Sequence, residues 1–174
     1  MQETEHKKNL LLYLSKLEEA IADGVGVLIF GDPGTGKTAM ASIIMQRVAQ
    51  LNMTGYFIDG RDVHEAWNRD IPFSDDLSLR QHISSVAVLV IDDLVIYPKG
   101  FVSGNMLVES AIRNRIHNKL PTIITTNFQT KDFDKSWAIM SSLFEESMFF
   151  IECTGKDYRK EAQGKIKQMF REKA

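Results

Sequence analysis

Five short apolar runs punctuate the chain: Val25–Phe30 (VGVLIF), Gly55–Asp59 (GYFID), Val86–Ile91 (VAVLVI), Thr122–Thr126 (TIITT) and Met148–Glu152 (MFFIE). Each has the length of a strand, and the intervening segments repeat apolar residues at helical spacing, as in Val108, Ala111, Ile112 and Ile116. Uninterrupted apolar runs suit strands buried on both faces of a parallel sheet. Strands alternating with helices imply right-handed crossovers, so the pattern predicts a three-layer α/β domain with a mainly parallel five-stranded sheet.

A chain of 174 residues has room for one continuous core, and no linker, repeat or low-complexity tract divides it, so residues 1–174 read as one domain. Leu10, Leu14, Leu17 and Ile21 predict an amphipathic helix over 7–21, ended by Asp23, Gly24 and Gly26. The core occupies 25–155, and the charged tail 158–173 reads as a final helix. Between the second and third strands, a helix near Val63–Trp67, a break at Pro72 and a second helix near Leu77–Ile83 are expected. The single cysteine, Cys153, has no intrachain disulfide partner, and no run approaches the roughly 18 apolar residues of a membrane span. Lys and Glu interrupt the N-terminal leucines, unlike a secretory signal, and the default setting is cytoplasmic. A formal net charge of −2 offers no general attraction to nucleic acid.

Directly after the first apolar run stands Gly31-Asp32-Pro33-Gly34-Thr35-Gly36-Lys37-Thr38, which fits G-x-x-x-x-G-K-[ST] in the strand-to-helix setting that this Walker A pattern requires. Its glycines let the backbone curl so that successive N–H groups point at phosphate oxygens. The helix starting near Lys37 adds the partial positive charge of its N-terminus. ATP is the expected ligand, with Lys37 reaching the β and γ phosphates and Thr38 coordinating Mg²⁺ through its hydroxyl.

The third run ends in Asp92-Asp93, two carboxylates at the C-terminal end of a buried strand, where open α/β sheets bind ligands. In this Walker B pattern Asp92 is suited to hold the hydrated Mg²⁺. Asp93, directed oppositely by strand alternation, is suited to orient or deprotonate an attacking water. As Asp rather than Glu, it stands one methylene further back, which fits slow hydrolysis. The fourth run ends in Thr125-Thr126-Asn127, and Asn127 is placed to set the same water against the γ-phosphate.

With GDPGTGKTAMA, LVIDDL, RNRIHNKLPTIITTN and TGKDYRK in this order, the sequence resembles the AAA+ helicase loaders of the DnaC and DnaI type and the related IstB-type transposition helper ATPases. The likeness covers most of the chain. It implies a P-loop NTPase with an AAA+ core and a reduced or absent lid, acting in DNA replication by loading or remodelling a replicative helicase. It also implies that Asn127 holds the sensor 1 position and that Arg159, in Asp157-Tyr158-Arg159, is the sensor 2 arginine that reads the γ-phosphate. The implied catalytic set is Lys37, Asp93, Asn127 and Arg159, with Thr38 and Asp92 on the metal.

Two features depart from the family. The residues before the first strand are too few for the N-terminal region with which such loaders grip the helicase, and Ser142 stands where the family carries an arginine finger. No arginine occurs from Ile116 to Tyr158. A finger presents a cation to the transferring phosphoryl group, and its loss lowers the rate by orders of magnitude. Firm ATP binding with slow turnover, unless a partner supplies the cation, is the expectation. Homo- or hetero-oligomers with a replicative helicase or another AAA+ loader fit this reading. The alternatives are a transposition helper that coats DNA and recruits a transposase, and a regulator that caps another ATPase ring, which Ser142 favours. A small-molecule phosphotransferase ranks behind them, since no arginine-bearing lid or acceptor pocket is evident.

Two basic clusters bear on single-stranded DNA as a further partner: Arg113, Arg115, His117 and Lys119, and Lys156, Arg159, Lys160, Lys165, Lys167, Arg171 and Lys173. Such runs are first of all solvated faces, and either is also suited to follow the phosphates of a single strand. Phe128, Trp137, Phe149 and Phe150 are expected in the core rather than as base-stacking platforms.

Overall fold

In a computed structural model, which describes residues 4–63, 79–95, 102–129 and 138–171, the apolar runs form strands β1 (Gly26–Gly31), β2 (Gly55–Asp59), β3 (Val88–Asp92), β4 (Thr122–Thr126) and β5 (Met148–Cys153). They pair in the order β2-β3-β4-β1-β5, and every pairing is parallel. The described helices are α1 (Glu5–Ser15), α2 (Leu17–Asp23), α3 (Lys37–Gln50), α4 (Leu79–Ser85), α5 (Val102–His117), α6 (Ala138–Ser147) and α7 (Arg159–Arg171). None of them is long and apolar enough to cross a membrane.

Period-two alternation sorts the strand side chains between two cores. Val27, Ile29, Val88, Val90 and Ile123 face Tyr13, Leu17 and Ile21 of the N-terminal helices and Ala41, Ile44 and Val48 of α3. Leu28, Phe30, Leu89, Ile91 and Ile124 face Ile83 of α4, Val108 and Ile112 of α5 and Phe144 of α6. Burying such an aliphatic side chain contributes about 1.5–3 kcal/mol, which makes the two cores the main source of stability. The sheet is thus the middle layer of a P-loop α/β fold. Phe149 and Phe150 are partly buried against opposite cores and Phe128 packs beside the second, whereas Trp137 lies outside the described residues.

The expected single helix over 7–21 is instead two. Lys16 leaves the helical range (φ −116°, ψ 18°), and its N–H bonds to the Tyr13 carbonyl. This break lets the Tyr13 hydroxyl donate to the Val25 carbonyl at 2.9 Å while Leu17 and Ile21 still turn onto the sheet. Of the helix expected near Val63–Trp67 only Val63 is described, helical together with residues 60–62 before it, and Pro72 also lies outside the described residues. The helix expected over Leu77–Ile83 is α4.

Arg115 corrects the reading of its surroundings as a solvated basic face, because its side chain is fully buried. All five guanidinium N–H groups find neutral acceptors. Nε donates to Thr122 Oγ1 (3.0 Å), Nη1 to the Ile83 and Val86 carbonyls (2.8 and 3.0 Å), and Nη2 to the Ala87 and Pro121 carbonyls (3.4 and 3.0 Å). Turned toward Arg115, the Val86 and Ala87 carbonyls stay out of the ladder, and β3 starts at Val88 rather than at Val86. Burial lowers the guanidinium pKa to about 10, so the group remains charged at neutral pH. Arg115→Ala should lower stability by about 3 kcal/mol or more, because several carbonyls lose their donor at once. Chemical denaturation of the two proteins measures this, and an unchanged midpoint would show that the guanidinium is dispensable.

Candidate active site

Parallel pairing brings the C-terminal ends of β1, β3 and β4 to one edge of the sheet, where they bound a cavity of about 760 Å³. Gly34, Gly36, Lys37 and Thr38 line it from the loop after β1 and the first turn of α3. Asp92 and Asp93 line it from the end of β3, Asn127 from the end of β4 and Arg159 from the first turn of α7. Gly31, Asp32, Pro33 and Thr35 complete the loop behind them, with the Thr35 hydroxyl donating to the Asp32 carbonyl at 2.7 Å. Ser142 is exposed on α6 and is not part of the cavity lining.

The loop is shaped by its glycines and tied down from outside. Gly34 has φ +75°, and a Cβ on it would collide with the Asp157 carboxylate. A Cβ on Gly36, at φ +96°, would meet nothing within 4 Å, so the cavity side of the loop is open to a bulky group. The Asp32 N–H donates to the Cys153 carbonyl at 2.8 Å and the Tyr158 N–H to the Gly34 carbonyl at 2.9 Å. Asp157 in turn accepts the Arg159 N–H at 2.9 Å. The segment that carries Arg159 is therefore fastened to the loop itself.

Lys37 is buried, and its Nζ donates to the Gly31 and Asp32 carbonyls at 3.0 and 2.7 Å. Burial holds its pKa below the ordinary lysine value; Arg159 pushes the same way, while Asp93 and Asp32 oppose it. The Cys153 thiol beneath the loop is pushed up to about 11 by burial, so it stays protonated. Thr38 Oγ1 lies 3.0 Å from both Asp92 carboxylate oxygens. With the loop N–H groups and the unpaired N–H groups of the α3 N-terminus, this end of the cavity suits a multiply charged phosphate anion.

Asp93 departs from the expected strand alternation. Its backbone has left the strand and sits at φ +52°, which returns the side chain to the same cavity as Asp92. There Asn127 Nδ2 donates to Asp93 Oδ1 at 3.1 Å. Thr125, which the sequence reading passed over, connects the two acids: its hydroxyl donates to Asp92 Oδ1 at 2.5 Å and accepts the Asp93 N–H at 2.9 Å. The available signal was the threonine two residues before Asn127, at the end of a strand that runs beside the acidic one. Asp59 was also missed; it ends β2, pairs in register with Asp92 and lines the cavity.

Comparison with known proteins places this geometry. Residues 23–131, well over half of the chain, match a protein-family model described as adenylylsulphate kinase. An adenylyl-sulfate kinase from Erwinia tasmaniensis is 28% identical over 88 residues, 49% of this chain and 44% of that protein. The chain thus spans less than half the length of this curated relative. Among solved structures, the DnaC helicase loader superposes with a TM-score of 0.75 at 22% identity, covering 88% of this chain and 93% of that one. DnaI superposes with a TM-score of 0.69 at 20% identity, covering 91% and 87%. AMPPCP-bound DnaA from Aquifex aeolicus gives 0.66 at 20% identity, covering 97% and 53%. At these identities the shared property is the fold. The family match takes in Gly31–Thr38, the Asp92-Asp93 strand end and β4, and by it the chain belongs to the adenylylsulphate kinase family of P-loop proteins.

Proposed function

We propose that the cavity binds ATP with Mg²⁺ and that the chain, as one domain, is a slow ATPase of the helicase-loader kind, remodelling or loading a replicative helicase in DNA replication. The observation that carries this reading is the place of β4 between β1 and β3, which sets Thr125 and Asn127 against Asp92 and Asp93 while Arg159 borders the same cavity. A paired carboxylate and amide beside a phosphate cradle suit the handling of a water molecule. The fold likeness to DnaC and DnaI, which covers most of the chain, supports the same reading.

Lys37 keeps one ammonium N–H beyond its two loop carbonyls for a phosphate oxygen. Thr38 Oγ1 and the Asp92 carboxylate form an all-oxygen set that fits a hard cation; bound there, Mg²⁺ would neutralise charge on the β and γ phosphates. In hydrolysis the water oxygen bonds to the γ-phosphorus as the bond to the β-bridging oxygen breaks, leaving its electron pair on ADP. Asp93, oriented by Asn127, receives the water proton, and Arg159 faces the γ-phosphate. With Ser142 exposed where a finger would stand, the low rate leaves ATP acting as a switch of assembly with another AAA+ protein, the helicase or a second copy. The exposed lysines of α7, Lys160, Lys165 and Lys167, suit contact with single-stranded DNA. The setting is the cytoplasm.

A second reading, favoured by the family match, is phosphoryl transfer to adenylyl sulfate, with an acceptor hydroxyl replacing water at the same phosphate grip. The match ends at residue 131, before the segment that brings Arg159 to the cavity.

One experiment separates the two: ATP turnover by the purified chain, measured with and without adenylyl sulfate and with and without single-stranded DNA. The hydrolase reading expects firm ATP binding and a low rate indifferent to adenylyl sulfate. Fast turnover by the isolated chain would contradict it, and stoichiometric phosphorylation of adenylyl sulfate would establish the second reading. Asp93→Asn should leave ATP affinity within about threefold and lower residual turnover by roughly 10²-fold or more. Thr125→Val should weaken Mg²⁺-dependent ATP binding by about tenfold, since it removes a hydrogen bond to a charged group, and leave binding without Mg²⁺ unchanged. Equal loss in both conditions would place Thr125 outside the metal-binding arrangement.

A further inference from the structure

Asp59 ends β2 level with Asp92 and lines the cavity from the side opposite the loop strand. Two residues on, Arg61 grips the Asp59 carboxylate. Its backbone N–H and Nε donate to Oδ1 at 2.8 and 3.0 Å, and Nη2 donates to Oδ2 at 2.9 Å. The Asp93 carboxylate adds to the field at this guanidinium, after the larger contributions from Asp59. Arg61 is thus a cation held on a residue of the cavity lining and within the field of Asp93.

Three properties make it more than a surface ion pair. The Arg61 side chain is 70% exposed, so solvent screens its attraction to Asp59 and the pair is easily exchanged. The fork that spans two carboxylate oxygens also matches two oxygens of a phosphate. Finally, among the described residues Lys37 lines the cavity from the loop and Arg159 from α7, while Arg61 is held beside it by Asp59 on the β2 side. A triphosphate would enter a cavity already lined by Asp59, Asp92 and Asp93, and an exposed guanidinium released from Asp59 would offset the repulsion.

We propose that Arg61 is a catalytic residue of this site: it exchanges the Asp59 carboxylate for the γ-phosphate and supplies, from within the same chain, the cation absent at Ser142. Asp59 is its resting holder and thereby sets the low basal rate. The inference rests on the reading of the cavity as an ATP site. As the water oxygen bonds to the γ-phosphorus and the β-bridging oxygen leaves with the electron pair, Arg61 stabilises the charge on the transferring phosphoryl oxygens. The water proton goes to Asp93, and Arg61 neither gains nor loses one.

Arg61→Ala, Arg61→Lys, Asp59→Asn and the double variant Asp59→Asn/Arg61→Ala test this against the wild-type chain. Three quantities are read: turnover at saturating ATP, affinity for a fluorescent ATP analogue, and trapping of ADP with Mg²⁺ and aluminium fluoride, which imitates the phosphoryl group in flight. Arg61→Ala should lower turnover by roughly 10²-fold, as does loss of a donor to developing charge, with analogue affinity changed less than about threefold. Arg61→Lys should recover little, because an ammonium lacks the fork. Asp59→Asn should raise turnover, and the gain should vanish in the double variant. The wild type should trap ADP equally well at all protein concentrations, and Arg61→Ala should not trap it. Undiminished trapping by Arg61→Ala, or wild-type trapping that grows with protein concentration, overturns the proposal. A wild-type chain that binds the analogue but traps nothing also overturns it and leaves the nucleotide site standing. Failure to bind the analogue removes both.

Discussion

The strand Gly26–Gly31 has no slack on either flank, and the site inherits its geometry from that constraint. All six of its residues are buried; a Cβ on Gly26 would strike the Thr122 carbonyl, and one on Gly31 the Cys153 carbonyl. Parallel backbones this close leave one register for β4 and one for β5. The pairing with β5 does not stop at the strand end, because the Asp32 N–H continues it to the Cys153 carbonyl. The phosphate loop is therefore partly a product of the last strand, more than a hundred residues downstream. A glycine pattern that looks local is held in shape by a non-local pairing.

That dependence explains what was legible in the sequence. The apolar runs marked all five strands, and the two Walker segments and Asn127 lie on one cavity because parallel strands end on the same edge. What escaped was decided by tertiary contacts. Asp93 has a left-handed backbone because its N–H reaches the Thr125 hydroxyl on the neighbouring strand, which strand alternation does not foresee. The break at Lys16 serves a hydrogen bond from Tyr13 to a residue beyond the next helix. Arg115 is the instructive case: it lies three residues after Ile112 and four after Ala111, on the apolar face of its helix by spacing alone. Its charge argued for the surface, and five carbonyl and hydroxyl acceptors around its guanidinium outweighed the charge.

The likenesses to a kinase family and to replication ATPases have a common physical basis. In the reading proposed here, grip on a triphosphate comes from the loop, Lys37, Thr38 and Asp92, all within the residues the family model matches. Choice between water and an organic acceptor depends on what faces the γ-phosphate from outside that grip. On the same reading those groups come from the end of β4 and from α7, and also, through Asp59, from β2. Of these, only α7 lies beyond the residues that the family model matches.

The hydrogen bond from Tyr158 to the Gly34 carbonyl ties the seat of α7 to the conformation of the phosphate loop. Linkage makes such a tie symmetrical: if a ligand on the loop stabilises this seat of the helix, a macromolecule that favours the same seat stabilises the loop by an equal free energy. Occupancy at either place is then information available at the other. A helix exposed along its length can in this way report on, and be read by, a site it touches only at its first turn.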